Sequence, residues 1–513
     1  MLLIFWGLAL WRLDRFPSVH YDEPTILAPG YQLFARGVYG SIMFTGFYGQ
    51  EKLFLEVPPL MSLLQGLSAR FLGVGVWQMR FAPVALGVLT LALTFAVGRA
   101  WINVRVGALA ALLLLLWQWT PGGQPFLGSG LPLLDVARIA RYDILVPPLG
   151  LGAFWAWLRA RRTDHTRAYA LSGLLAGLAG LANVYGLFWV VALMGMMLID
   201  NWLLQPSCRG VLRRAGWVGF GAAVPWLGWG AIILAHWPEA RGQFSKHVGR
   251  FDLLNPAFYL DSLMNEIHRY ALGVREPGTL FRVGFWLVVV GVPLVLAWLG
   301  WRATRYRDRR AMWLLVPCLL FPALFALFVN TKRFYYLMML VPLLALALAW
   351  GLARVAGRRR WMVALLLGVM IIQAALGITR MQSLAREVDS PAAFFAKLRQ
   401  AVPLEAGVIL GPPQYWFALP QRDYRSTALP FLLSGPRGLA PIPFDAALNR
   451  VAPEVVLVER SLLDSLTNAD QLEPLATPRT EQFWDFMRQH QARLVGELYD
   501  YEGALVQVYG LEW

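Results

Sequence analysis

The chain reads as a polytopic α-helical membrane protein with a small α/β domain at its C-terminal end. Three observations carry that reading. Of 513 residues, 58% are hydrophobic and only 15% charged, with mean hydropathy +0.50, a balance outside the range of ordinary soluble domains. Apolar runs of near-spanning length recur through residues 1–379. From Arg380 onward the composition turns ordinary, and the apolar residues fall into short strand-like and helical groups.

Charge narrows the function classes. The formal net charge is +15, but residues 380–513 carry 12 Lys and Arg against 16 Asp and Glu, so the excess lies among the membrane segments. There it marks cytoplasmic loops and contacts to anionic lipid or phosphate, and a nucleic-acid partner has nothing to rest on. Two cysteines, Cys208 and Cys318, offer neither a disulfide framework nor a cysteine metal site.

In chain order, residues 2–13 are apolar but short of the roughly 20 that span a bilayer. The helix either continues to about Phe16 or begins upstream. Without a basic n-region or a small-residue cleavage site, it reads as a retained first span. Residues 14–78 are mixed, and the spacing over Thr25–Arg36 and Pro58–Phe71 predicts two interfacial helices. Spans follow at 79–98 and 104–120, then a Gly- and Pro-rich loop over Pro121–Tyr142. Later spans at 144–158, 168–183, 186–203, 215–236, 280–300, 311–329, 334–353 and 361–379 bring the total to about eleven.

Five short loops are arginine-rich: Arg99 and Arg105; Arg159 to Arg167; Arg209 to Arg214; Arg302 to Arg310; Arg354 to Arg360. All fall on one side in this count, which puts the N-terminus in the cytoplasm of a multi-pass inner or plasma membrane protein. The segment after the first span, the Arg138–Asp143 loop, residues 237–279 and everything after 380 then face outward. In the outer domain, 390–402 and 482–491 read as helices, and 407–410, 455–458 and 504–509 as strands.

Four outward-facing groups could carry chemistry. The sharpest is Val19-His20-Tyr21-Asp22-Glu23-Pro24, where two carboxylates sit beside hydrocarbon, a costly placement unless they bind or react with something. The bland alternative is that Asp22 caps a helix. Glu51 and Glu56 share that segment. Second come Arg138 and Arg141, flanked by Asp143. The loop over 237–279 adds Lys246, His247, Arg250, Asp252, Glu266, His268 and Arg269. Fourth is Asn330-Thr331-Lys332-Arg333-Phe334-Tyr335-Tyr336, where two cations sit on the outside against the positive-inside trend. An anionic phosphate explains them, and so would snorkelling to lipid headgroups. His247 and His268 lack tight ligand spacing, so solvated histidines compete with a divalent-metal role.

The order of these features resembles the bacterial membrane glycosyltransferases of the protein O-mannosyltransferase and aminoarabinose-transferase superfamily, with the C-type glycosyltransferase fold. The resemblance covers about residues 1–380 and is carried by the Asp22-Glu23 pair, Glu56-Val57-Pro58-Pro59-Leu60, Phe71-Leu72-Gly73 with Met79-Arg80-Phe81, the Arg138–Asp143 loop, and Lys332 to Tyr336 followed by Leu340-Val341-Pro342. It implies transfer of a sugar from a polyprenyl-phosphate donor to a lipid, glycan or protein acceptor on the extracytoplasmic face, with inversion. Asp22 would be the general base, with Glu23 its catalytic neighbour. Arg138, Arg141, Lys332 and Arg333 would hold the donor phosphate, and Tyr21, Asp143 and Tyr335 would contact substrate. No cofactor is required by this reading, although Glu56, His247 and His268 could supply ligands to a divalent metal. Glu56-Val57 stands where aminoarabinose-transferring relatives often carry a basic residue, so transfer to lipid A is not implied. A transporter or flippase of a lipid-linked sugar is the alternative. It would place ionisable groups inside the spans and show internal symmetry, whereas these spans are almost free of charge and no repeat is visible.

Overall fold

Helices form where the apolar runs lie, and their ends fall at turn residues. The computed structural model describes residues 1–119, 128–204, 208–245, 247, 253–271, 281–435, 442–472 and 477–513. α1 (Leu2–Leu10) gives way to a turn through Arg12 at positive φ. α2 (Asp22–Arg36) stops at Gly37, whose φ of 74° suits glycine, and α3 (Leu60–Leu72) starts after Pro58-Pro59. Both are helices of nearly the expected extent. They cross at glycine: a Cβ on Gly30 would sit 1.9 Å from the Ser62 carbonyl oxygen, and the Gly30 N–H donates to Ser62 Oγ at 3.0 Å. Pro29 breaks the ladder inside α2, and Ser62 takes up the next amide.

The bundle continues with α4 (Val76–Trp101), α5 (Val104–Leu116), α6 (Pro132–Ala137), α7 (Val146–Thr163), α8 (Thr166–Ala182), α9 (Phe188–Leu204), α10 (Cys208–Ala235), α11 (Trp237–Phe244) and α12 (Pro256–Ala271). α13 (Val283–Trp286) runs through a π turn at Leu287–Gly291 into α14 (Val292–Arg305). Then come α15 (Arg309–Phe328), α16 (Val341–Ala356) and α17 (Arg360–Glu387). Among the described residues, five stretches are long and apolar enough to cross a membrane, namely α4, α10, α13–α14, α15 and the stretch beginning with α17, and three shorter apolar helices lie at 104–116, 184–200 and 341–356. Apolarity alone therefore marks fewer than the eleven spans expected. α7 and α8 pack inside the bundle, where small residues replace lipid-facing ones: Cβ atoms on Gly173 and Gly177 would strike the carbonyls of Val218 and Ala222 on α10. The span expected from 334 begins as a 3₁₀ turn, Phe334–Met339, and becomes α-helical at Val341, ahead of Pro342. α17 runs past residue 380 to Glu387.

Polar groups gather at the two ends of this bundle. At one end Arg162 donates to the Ala100 carbonyl, Arg161 pairs with Asp200, and Arg213 and Arg214 pair with Asp164. Three of the arginine-rich segments thus meet on one face. α7 carries that face at its Thr163 end and approaches Asp143 at its Val146 end; its 18 residues span about 27 Å at 1.5 Å per residue, close to the bilayer hydrocarbon thickness.

The C-terminal α/β domain follows α17. α18 (Pro391–Ala401) precedes β1 (Val408–Gly411) and β2 (Asp423–Ser426). α19 (Ala428–Ser434) and α20 (Phe444–Val451) lead to β3 (Val455–Glu459), and α21 (Arg460–Leu472) and α22 (Arg479–Gln489) to β4 (Arg493–Tyr499) and β5 (Leu505–Gly510). The sheet order is β2-β1-β3-β5-β4; the first three strands are parallel, and β5 is antiparallel to both β3 and β4. This domain does not keep its core to itself. Val19, Leu27, Met43, Phe44 and Phe47 of the segment after α1 share one apolar cluster with Trp416, Tyr424 and Val456. Arg425 donates to the Ile42 carbonyl at 3.0 Å, and Arg36 to that of Gln421 at 3.0 Å.

Candidate active site

The acidic pair divides as soon as α2 begins. Successive residues on a helix point about 100° apart, so Glu23 turns inward where Asp22 faces out. Glu23 is fully buried: Arg80 holds its two oxygens from Nε and Nη2 at 3.0 Å each, and the Ala140 amide donates to it at 2.8 Å. The rest of the Arg80 guanidinium donates to the carbonyls of Leu13, Pro17 and Ser18 at 2.7–3.1 Å, which fixes the turn before α2. Asp22 keeps 24% of its side chain exposed and pairs with Arg141. It is not a helix cap: Tyr21 occupies the N-cap position and the cap has no side-chain hydrogen bond.

Arg141 is the hinge of the site. Its Nη1 meets Asp22, its Nε donates to Asp143 Oδ2 at 2.9 Å, and its guanidinium lies 4.3 Å over the Tyr335 ring. Asn183, just past α8, donates to the second oxygen of Asp143 at 2.9 Å. His20 packs against this group, its Nδ1 accepting from the Asp22 amide at 3.1 Å. Burial, joined by the charges of Arg141, Arg333 and Arg80, pulls His20 down to about 3, so it stays neutral at working pH.

These residues wall a cavity of about 280 Å³. Arg333, Tyr335, Tyr336, Glu56 and His247 line the same cavity as Asp22. Arg333 is exposed and has no hydrogen bond or ion pair among the described residues. His247 Nε2 lies 3.3 Å from Glu56, which also accepts from Gln50 at 3.1 Å. A second, mostly apolar cavity of about 160 Å³ shares Glu56, Val57, Tyr142, His247 and Tyr336 with the first and extends to Trp226, Trp229 and Ile233 of α10. A polar chamber thus adjoins an apolar one at the edge of the bundle, a shape suited to a head group with a hydrocarbon tail.

The fold therefore brings together Tyr21, Asp22, Glu56, Arg141, His247, Arg333 and Tyr335, with Asp143 directly behind Arg141. Other expected site residues lie elsewhere. Arg138 turns to the end of α1, where its two terminal nitrogens donate to the carbonyls of Leu8 and Ala9, which the helix end leaves without intrahelical partners, and to those of Trp11, Arg12 and Phe16 in the turn that follows. Lys332 points away from Asp22 into a buried group with Glu266 at 3.3 Å and Ser262 Oγ at 3.1 Å. Burial lowers it to about 8, with Glu266 holding against that shift. His268 is exposed on α12 and outside the cavity lining, so the three suggested metal ligands do not form one set; Glu56 and His247 could supply two ligands to a divalent ion. Lys246, Arg250 and Asp252 lie outside the described residues. Sequence reasoning gave no role to His20 or Asn183 and cited Arg80 only within a motif. Arg80 carried a signal, because a lone cation inside the first turns of an apolar span calls for a buried partner.

No protein-family model and no curated sequence matches the chain. Solved structures do. ArnT from Cupriavidus metallidurans bound to undecaprenyl phosphate aligns with 99% of this chain and 96% of its own, at TM-score 0.62 and 16% identity. The archaeal oligosaccharyltransferase AglB from Archaeoglobus fulgidus, in complex with an inhibitory peptide and a dolichol-phosphate, aligns with 99% of this chain and 73% of its own, at TM-score 0.56 and 12% identity. The chain has the C-type glycosyltransferase fold that these structures share. The likeness runs nearly end to end and takes in the outer domain as well as the bundle.

Proposed function

We propose that the chain is an integral-membrane glycosyltransferase that moves a sugar from a polyprenyl-phosphate donor to an acceptor on the extracytoplasmic face, with inversion at the anomeric carbon. The observation that carries this reading is one cavity lined by both a partly exposed carboxylate, Asp22, and a cation, Arg333, that has no ion pair among the described residues, beside an apolar chamber. That two structures of the same fold hold polyprenyl phosphates, undecaprenyl phosphate in ArnT and a dolichol-phosphate in AglB, supports a lipid-linked donor.

In this mechanism Asp22 takes the proton of the acceptor nucleophile. Arg141 holds its carboxylate in place, and the neutral His20 accepts from the Asp22 backbone amide. Attack on the anomeric carbon expels the carrier phosphate, and Arg333, aided by Arg141, stabilises the growing negative charge in a site shielded from bulk water. Glu23 acts by positioning: it anchors Arg80 and the turn that presents Asp22. Tyr335 and Asp143 set the plane of Arg141. Lys332 would reach the phosphate only by leaving Glu266. The reading takes the face bearing Asp22 as extracytoplasmic, and the three arginine-rich segments that meet at the other end support it.

Radiolabelled polyprenyl-phosphate sugars supplied to the reconstituted protein, with a panel of acceptors, test this. Asp22→Asn should lower donor consumption by at least about 100-fold in a protein that stays folded. Arg333→Ala should raise KM for the donor more than it lowers kcat. Donor consumption untouched by Asp22→Asn would sink the proposal.

A further inference from the structure

α12 turns its polar side inward. Its buried positions Phe258, Ser262, Glu266 and Arg269 recur at helical spacing and form one stripe, most of it polar. Leu260, Leu263, Met264 and Ile267 lie on the opposite side and are 46–64% exposed. The seat of α12 on the end of α15 is therefore made largely by polar contacts. Ser262 Oγ donates to the Val329 carbonyl at 3.0 Å, and Asn265 to Asn330 Oδ1 at 2.9 Å. Lys332, in the turn after α15, donates to Ser262 Oγ at 3.1 Å and to the Phe325 carbonyl.

The charges in this seat do not balance. Arg269 and Lys332 share one carboxylate, Glu266. Arg269 Nη2 and the Tyr270 hydroxyl donate to Glu266 Oε1, whereas Lys332 stands 3.3 Å from Oε2 in an ion pair without a hydrogen bond. Arg269 is 1% exposed, and its Nε and Nη1 have no hydrogen-bond partner among the described residues. Such a group can open on one side. Parting Glu23 from Arg80 strands two buried charges. Glu266, by contrast, keeps Arg269 and Tyr270 when Lys332 leaves. The departing ammonium then needs another anion, and the next residue, Arg333, lines the cavity of Asp22. A phosphate there offers charge-assisted hydrogen bonds that Glu266 does not give, and the flexible four-carbon stem of lysine lets it turn from one to the other.

We propose that Glu266 is an internal competitor for the phosphate of an isoprenoid phosphate ester: it holds Lys332 until that phosphate takes the ammonium over, and α12 loosens as Lys332 leaves. Lys332 then joins Arg333 on the bound anion. Glu266 is a positioning residue that acts through Lys332, and the assignment rests on the transferase reading.

Hydrogen exchange on the full chain in lipid nanodiscs tests it, with farnesyl phosphate, farnesol and inorganic phosphate as probes and affinities measured in the same samples. Farnesyl phosphate should bind and quicken exchange over Pro256–Ala271 by about threefold or more, because the bonds that pin α12 are given up; farnesol should leave it unchanged. Glu266→Gln should tighten farnesyl phosphate binding by about threefold to tenfold, opposite in sign to the loss of a merely structural bridge. Ser262→Ala, which removes a contact of Lys332 without altering charge, should tighten it by about twofold and keeps the test open if the glutamine variant does not fold. Lys332→Met should weaken binding by about tenfold and abolish the response of α12. Bound farnesyl phosphate that leaves exchange in α12 unchanged or slower, tightening in neither folded variant, or an equal response to inorganic phosphate overturns the assignment. So does failure of farnesyl phosphate to bind. Asp22-dependent donor consumption in the same samples judges the transferase reading separately.

Discussion

Asp22 and Glu23 are adjacent carboxylates in opposite circumstances, and most of the site follows from that difference. Glu23 is sealed against Arg80, and removing one partner of a buried, multiply bonded pair leaves the other charge uncompensated. Arg80→Met should therefore cost about 3–5 kcal/mol, read as a lower thermal midpoint in detergent with normal insertion. His20 gives a pH signature. Its folded value of about 3 lies below the ordinary 6.5, so the fold favours the neutral ring. The stability this contributes is present above pH 6.5 and is lost as pH falls from 6.5 toward 3, because the unfolded chain takes up the proton first. His20→Gln should flatten that acid-side decline in a pH series of melting curves, and an unchanged slope would refute the assignment.

Among the elements, α2 and α3 do the positioning, and their contact leaves no room for a side chain. Gly30 and Gly66 face each other: a Cβ on Gly66 would lie 2.3 Å from the Gly30 carbonyl carbon. Gly30→Val should force the helices apart at a cost of about 1–3 kcal/mol or more and displace Asp22 from Arg141. Lower donor consumption together with a lower melting temperature is the expected outcome, whereas Gly7→Val, at a position with open space, should leave both unchanged. Amphipathic spacing was enough to place both interfacial helices. β2 and β4 escaped it, because Asp423–Ser426 is polar and Arg493–Tyr499 lies largely exposed, so neither shows a buried apolar alternation.

At the scale of the molecule, the C-terminal domain and the segment holding α2 share one apolar core. The Tyr31 and Trp416 rings meet edge to face at 5.5 Å, and Trp416 is fully buried in the shared cluster. Trp416→Ala should destabilise by about 3–5 kcal/mol. Because the cluster is common, hydrogen exchange should quicken in α2 as well as in the sheet. Exchange confined to the sheet would show instead that the outer domain is energetically separate.

The amino-acid pattern alone determined the membrane class, the order of the apolar helices, the ordinary composition after 380 and the standing of Asp22, Arg141 and Arg333 as site candidates. Each depends on local composition or on a cost that a single residue bears wherever the chain goes. What only the tertiary structure decided is which polar groups face one another. Arg138 and Arg141 look alike in sequence, yet one satisfies the carbonyls at the end of α1 and the other bridges Asp22 to Asp143. Lys332 and Arg333 are neighbours, yet one is bound to Glu266 and the other faces the cavity. Both steps fall outside helices, after α6 has ended and before the 3₁₀ turn at Phe334 begins, so neighbouring side chains diverge and meet partners from distant segments. Spacing along the chain cannot encode such pairings; they are fixed by how the helices pack.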